Sequence, residues 1–240
     1  FLLQIMGLLY WNIGIMIVGM RMSAAAAGIY AIGIQLNLFA LQFSASIVDM
    51  FLPHATKMMV NDASDEETTI FAVRLGRIIL MLYGGICLGF LFLGKSFIRL
   101  WAGEGYESAY YVTLIALAAA AIPRMQSGMS NVLKAKNLQR VPALAYAASA
   151  ALAVPISWML AESYGLIGII SGAGAGLIIG NVIIANIYFK KYVGIDLRLF
   201  FSRLFAGAPM VVLCTALTGC AANFIPGISV KIFLLQCLIF

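Results

Sequence analysis

The sequence is poor in charge. It has 240 residues, of which 15 are Lys or Arg and 9 are Asp or Glu, about 10% in all, against roughly 25% in an average soluble domain. A single histidine, His54, and one acidic cluster, Asp62 with Asp65, Glu66 and Glu67, leave little material for a metal centre or an acid–base pair. The cluster reads better as a helix start: Ser64 and Glu67 have capping-box spacing just before an apolar run, and acids are favoured in a first turn. Cys87, Cys214, Cys220 and Cys237 all fall in apolar runs with no C-x-x-C pair, so neither a disulfide framework nor a zinc site is expected. No P-loop is expected, and no nucleotide-driven step is assigned. No catalytic residue, metal or cofactor is anticipated, and the net charge of +6 does not require nucleic acid. No signal peptide is recognised.

Apolar residues dominate instead. They make up 63% of the chain and give a mean hydropathy of +1.02. A soluble fold of this size does not hide that much apolar surface from water. The apolar runs are continuous rather than alternating, which favours helices over barrel strands. The expected fold is therefore an all-α, polytopic membrane protein. At about 20 residues per span plus a loop, the chain holds about eight helices. Candidate spans are 1–20, 28–52, 70–93, 108–132, 141–160, 165–189 and 203–222, with a truncated one over 229–240. Residues 1–189 form one six-helix bundle in this reading, and 190–240 carry two additional helices. Phe1 already lies inside an apolar run, no initiator Met precedes it, and Ile232 to Phe240 is too short to span. The chain is expected to be part of a longer transporter-like protein.

Ten of the fifteen basic residues sort to one side of these spans. Lys57, Arg74 and Arg77 flank the second loop, Lys134, Lys136 and Arg140 the fourth, and Lys190, Lys191, Arg198 and Arg203 the sixth. The positive-inside rule makes loops 53–69, 133–140 and 190–202 cytoplasmic. Arg21, Lys95, Arg99 and Lys231 fall on the opposite side.

Arg124 lies within a span. An arginine near a helix centre costs roughly 2.5–3.5 kcal/mol. It sits about four residues past the midpoint of 108–132, or about 6 Å off centre. Its Cα–Cβ bond tilts away from the nearer, cytoplasmic end, which works against snorkelling. Pro123 removes a backbone donor and frees the Ala119 carbonyl, so a kink is expected beside the charge. A broken helix beside a charge at membrane depth marks transport sites. Ser127 and Asn131 follow on the same face, at i+3 and i+7. A cavity-lining role for the three stands beside snorkelling or pairing with a neighbouring helix.

The second span carries a polar stripe of Gln35, Gln42, Ser46 and Asp49, within an arc of about 60°. It fits a water-filled cavity or hydrogen bonding to another helix equally well. Gln4 and Asn12 share a face of the first span. Gly168, Gly172, Gly176 and Gly180 make three overlapping G-x-x-x-G steps, a face for close helix packing.

Several short motifs together resemble bacterial polysaccharide flippases. Trp11-Asn12-Ile13 with Val18-Gly19, then Ala27-Gly28-Ile29-Tyr30-Ala31, is similar to the start of the second half of that family. Leu93-Gly94-Lys95 and the stretch Leu100 to Ala109, with Trp101, Gly103, Tyr106 and Ala109, resemble its loop between spans. Leu133-Lys134-Ala135-Lys136-Asn137 and Tyr164-Gly165-Leu166-Ile167-Gly168 resemble two further connections. One departure is Gly14, where many relatives carry an Asp. The resemblance is to the C-terminal half of Wzx-type O-antigen flippases in the MATE-like MOP superfamily. It implies helices 7 to 14 of a 14-helix, two-bundle transporter in the bacterial inner membrane. It also implies an undecaprenyl-pyrophosphate-linked oligosaccharide as substrate, moved by alternating access, with Arg124 attracting the headgroup. Expected partners are that substrate, membrane lipids, other polysaccharide-assembly proteins and the N-terminal half of the same protein. A MATE-type cation-coupled drug or metabolite exporter is the competing transporter reading. A membrane enzyme of polysaccharide assembly, a polymerase or glycosyltransferase, is the alternative of another class.

Overall fold

The computed structural model of the chain describes residues 2–138, 140–206 and 209. Among them every regular element is a helix: α1 (Leu2–Arg21), α2 (Ala24–Asp49), α3 (Leu52–Val60), α4 (Asp65–Trp101), α5 (Ala109–Met125), α6 (Ser127–Ala135), α7 (Arg140–Ile178), α8 (Ala185–Tyr188) and α9 (Leu197–Phe205). Two wider π-helical turns, Ile179–Ile184 and Phe189–Val193, flank α8. Three helical stretches are long and apolar enough to cross a membrane: Ala24–Val60, Asp65–Trp101 and Ala143–Val193. The bent pair α5–α6 is a fourth if it counts as one span. The chain is thus an all-helical protein with the apolar helices of a membrane protein. The expected helices over 203–222 and 229–240 lie largely outside the described residues, as do Cys214, Cys220, Cys237 and Lys231.

Helix ends follow local chemistry. Ser23 caps α2 by accepting from the Ala26 amide at 3.1 Å. Ser64 and Glu67 form the reciprocal box that their spacing predicts. The Ser64 hydroxyl accepts from the Glu67 amide at 3.2 Å, and the Glu67 carboxylate accepts from the Ser64 amide at 2.9 Å. The cap starts α4 five residues earlier than the apolar run does. Nothing stops the helix until Gly103 and Gly105, both at φ 93°, so it runs 37 residues, about 55 Å. That exceeds a hydrocarbon core of about 30 Å, so its ends reach beyond the core.

Three boundaries differ from the sequence reading. Residues 53–69 are not all loop, because Pro53 stands in the first turn of α3, where its missing N–H costs nothing. The span expected over 108–132 is two helices, bent by 48°. The bend falls at Gln126, three residues beyond Pro123, not at the proline itself. Residues 190–202 are not all loop either, because a helix runs over Leu197–Phe205, capped by Asp196, which accepts from the Leu199 amide at 3.0 Å.

α7 and the turns after it fold back on themselves. Gly165 is non-helical, with φ 53° and ψ −130°. A straight helix would separate residues 149 and 180 by about 46 Å. Yet a Cβ on Gly180 would collide with the Ser149 hydroxyl, and one on Gly172 would lie 2.5 Å from the Ser157 backbone. Gly176 faces Ala153 and the Ser149 carbonyl, and Gly168 faces the Leu160 carbonyl. The four glycines therefore form the seam between two antiparallel arms, residues 140–164 and 166–193. The Ser157 hydroxyl donates to the Ile169 carbonyl across this seam at 2.8 Å, and Asn181 donates to the Ser149 hydroxyl at 2.8 Å.

The hairpin packs on α1 and α5, α2 packs on α1 and α5, and α4 packs on α5, α6 and α9. Tyr30 fills the space over Gly14, and Tyr10 donates to the Ala173 carbonyl. Arg21 pairs with Glu162 at 2.9 Å and lies 4.3 Å from the Trp158 ring centroid, tying α1 to the hairpin. At the other end Arg77 donates to the Arg203 carbonyl at 2.8 Å and 3.1 Å, which satisfies an end of α9.

Candidate functional site

The break at Gln126 builds a polar pocket inside the bundle. A cavity of about 250 Å³ lies between the end of α2, the α5–α6 junction and the hairpin. Arg124, Ser127 and Asn131 line it together, with Gln126, Ser130, Lys134, Asp49 and Asn181. Asn131 is fully buried, and its amide donates to the Val48 carbonyl at 2.8 Å, fixing α6 to α2. Gln126 is also buried and donates to the Asn186 side chain at 2.7 Å.

Three buried polar atoms at this site have no partner among the described residues: the Gln126 side-chain carbonyl, the Ser127 hydroxyl and the Asn131 side-chain carbonyl. Buried polar groups are nearly always satisfied, so a cluster of three marks a place for water or a ligand. About eight waters' worth of liquid volume fits the cavity. Arg124 is half-buried beside them. Among the described residues it makes no ion pair. The carboxylate on the cavity wall, Asp49, is already engaged by Lys134 at 3.2 Å. The site therefore offers a guanidinium, two amide carbonyls and a hydroxyl. That set suits an anionic or hydroxyl-rich group rather than a bare cation.

The other sequence candidates lie elsewhere. Gln35, Gln42 and Ser46 sit on an exposed face of α2, and Asn12 is exposed on α1. None of them lines this cavity. The Ser46 hydroxyl is spent on the Gln42 carbonyl of its own helix at 3.0 Å. Pro123 lines the cavity wall, whereas Gly168, Gly172, Gly176 and Gly180 lie along the hairpin seam. The buried polar residues of α2 are Ser44, which donates to the Leu41 carbonyl of its own helix, and Asn37, whose side-chain amide has no partner among the described residues.

Gln126, Asn181 and Asn186 are absent from the sequence reading. Gln126 is about 200° around a regular helix from Arg124, and only the break brings it to the same cavity. The π-helical turns widen the backbone around Asn181 and Ala185, a distortion that recurs at functional sites.

Among the described residues no group of His, Cys, Asp and Glu forms a metal site. His54 packs against Phe71, with ring centroids 5.5 Å apart, and Cys87 is a free thiol. Residues Gly89 to Ser96 do spell G-x-x-x-x-G-K-S, against the expectation of no such motif. All eight are helical within α4, so no loop of free amides cradles a phosphate there. No known protein family, curated protein or solved structure matches the chain.

Proposed function

We propose that the chain forms one bundle of a lipid-linked oligosaccharide transporter that works by alternating access in the bacterial inner membrane. Arg124 is the residue that meets the phosphate-bearing part of the substrate. The reading is carried by a half-buried arginine without an acidic partner, opening on a cavity with three unsatisfied buried polar atoms. A charge at that depth is costly unless it serves a ligand or a water-filled path. Phosphates bind guanidinium groups strongly, and sugar hydroxyls satisfy amide carbonyls. The engagement of Asp49 by Lys134 favours an anionic cargo over the cationic one of a drug exporter. The basic loops lie on the cytoplasmic side in this scheme, so the cavity loads from that side. Catalysis is not part of the scheme, and no cofactor enters it.

The test is Arg124→Ala in the full-length protein, with surface polysaccharide measured in cells that depend on it. Expression at the normal level with export lost is the expected result. Export unchanged at normal expression would remove the headgroup role.

A further inference from the structure

The end of the molecule opposite the Asp49–Lys134 contact holds a second polar cavity, of about 390 Å³. Lys95, Ser96, Arg99, Glu107, Ser108 and Tyr111 line it, where α4 turns into α5. Arg99 pairs with Glu107 at 2.6 Å, so these two charges offset each other. Lys95 supplies the net positive charge. Among the described residues no carboxylate pairs with it. Its ammonium lies 5.3 Å and 5.6 Å from the ring centroids of Tyr110 and Tyr111, a cation–π placement that holds the charge at the mouth of the cavity. The Ser108 side chain precedes α5 but makes no capping bond, so its hydroxyl is available.

The surroundings say what kind of anion belongs there. Phe97 stacks on Trp101 with centroids 5.9 Å apart, Phe90 stacks on Tyr110 at 5.6 Å, and Trp101 is 51% exposed. Trp and Tyr side chains near the end of a membrane helix sit at the headgroup boundary. Exposed Leu91 continues apolar surface down α4 from that level. A free phosphate needs neither the aromatic belt nor the apolar surface beneath it. A phospholipid needs both, and the single charge of a phosphodiester matches the net charge of the cavity.

We propose that the cavity at the α4–α5 turn binds the phosphodiester headgroup of an anionic phospholipid, with Lys95 as its charge partner and Ser96, Ser108 and Tyr111 as hydroxyl donors. The acyl chains lie outside, against Leu91 and the aromatic belt. This is a different site from the Arg124 cavity and does not depend on the cargo.

The test uses the purified full chain in detergent, offered mixed micelles of phosphatidylglycerol and phosphatidylcholine, with retained lipid counted by native mass spectrometry. Phosphatidylglycerol should be retained in preference. Lys95→Gln should lower that retention about fivefold, the effect of about one basic residue at a lipid surface, and Lys95→Arg should restore it. Ser108→Ala, which keeps the charge in place, should lower it less. Arg74→Gln, an exposed cation at the other end, should leave the Lys95-dependent part unchanged. Equal retention of the two lipids, or no effect of Lys95→Gln in folded protein, would overturn the proposal. So would displacement of the lipid by inorganic phosphate at equal concentration, which would identify a free-anion site.

Discussion

Lys134 donates to the Asp49 carboxylate at 3.2 Å, and both side chains stand on the wall of the cavity that contains Arg124. The contact joins the last residue of α2 to the last turn of α6. One turn deeper, Asn131 holds the Val48 carbonyl. Two ties of different kinds thus close α2 against α6. One is buried and neutral, the other charged and partly exposed, with side-chain exposures of 36% and 57%. The outer tie is the weaker of the two, because exposed ion pairs contribute about 0–1 kcal/mol.

That difference predicts how the cavity opens. Asp49→Asn should leave thermal stability almost unchanged yet ease access to the cavity. Ser130, which lines it, can be replaced by cysteine and labelled with a charged maleimide. Labelling of Ser130→Cys should be several-fold faster when Asp49→Asn is also present. Equal rates would mean that the ion pair does not limit access.

The hairpin gives a second prediction. A side chain on Gly172 would meet the Ser157 backbone at 2.5 Å, with the opposite arm unable to move away without breaking the Ser157–Ile169 bond. Gly19 has nothing within 4 Å of an added Cβ. Gly172→Leu should therefore cost about 1–3 kcal/mol through overpacking, a fall of several degrees in Tm for a chain of this size. Gly19→Leu should shift Tm by little. A comparable fall for both would show that close packing along the seam does not set the stability.

The residues that were legible in the sequence are those whose environment is set by one helix. Lipid supplies no backbone partners, so apolar runs must be helices. Ser64 and Glu67 cap a helix through contacts three residues apart. Ser127 and Asn131 share a cavity because i and i+4 share a face of α6, and Arg124 meets them there across the bend. What escaped depends on breaks and on distant partners. Residues 53–69 read as a loop in sequence, yet Pro53 stands in the first turn of α3. Gln126 reaches the cavity only because the helix bends there, and Asn186 holds it from 60 residues away. The polar stripe of α2 was legible as a stripe, but its spacing does not say which side it faces. In the structure Gln35, Gln42 and Ser46 face outward, while Asn37 faces in.

The unsatisfied atoms of the Arg124 cavity separate a binding role from a structural one. The Ser127 hydroxyl is buried, 6% exposed, and has no partner among the described residues. If its only role were structural, replacing it would remove a contact and lower stability. Instead, Ser127→Ala deletes an unpaired buried hydroxyl, whose burial costs about 1–3 kcal/mol when nothing bonds to it. Tm of the purified protein should stay the same or rise, while transport falls. Asn131→Ala should behave differently, because it also breaks the buried bond that ties α6 to the Val48 carbonyl of α2. Both Tm and transport should drop. Measuring the two variants side by side tests whether the cavity is built for a ligand: a fall in Tm for Ser127→Ala matching that of Asn131→Ala would assign both residues to the fold alone.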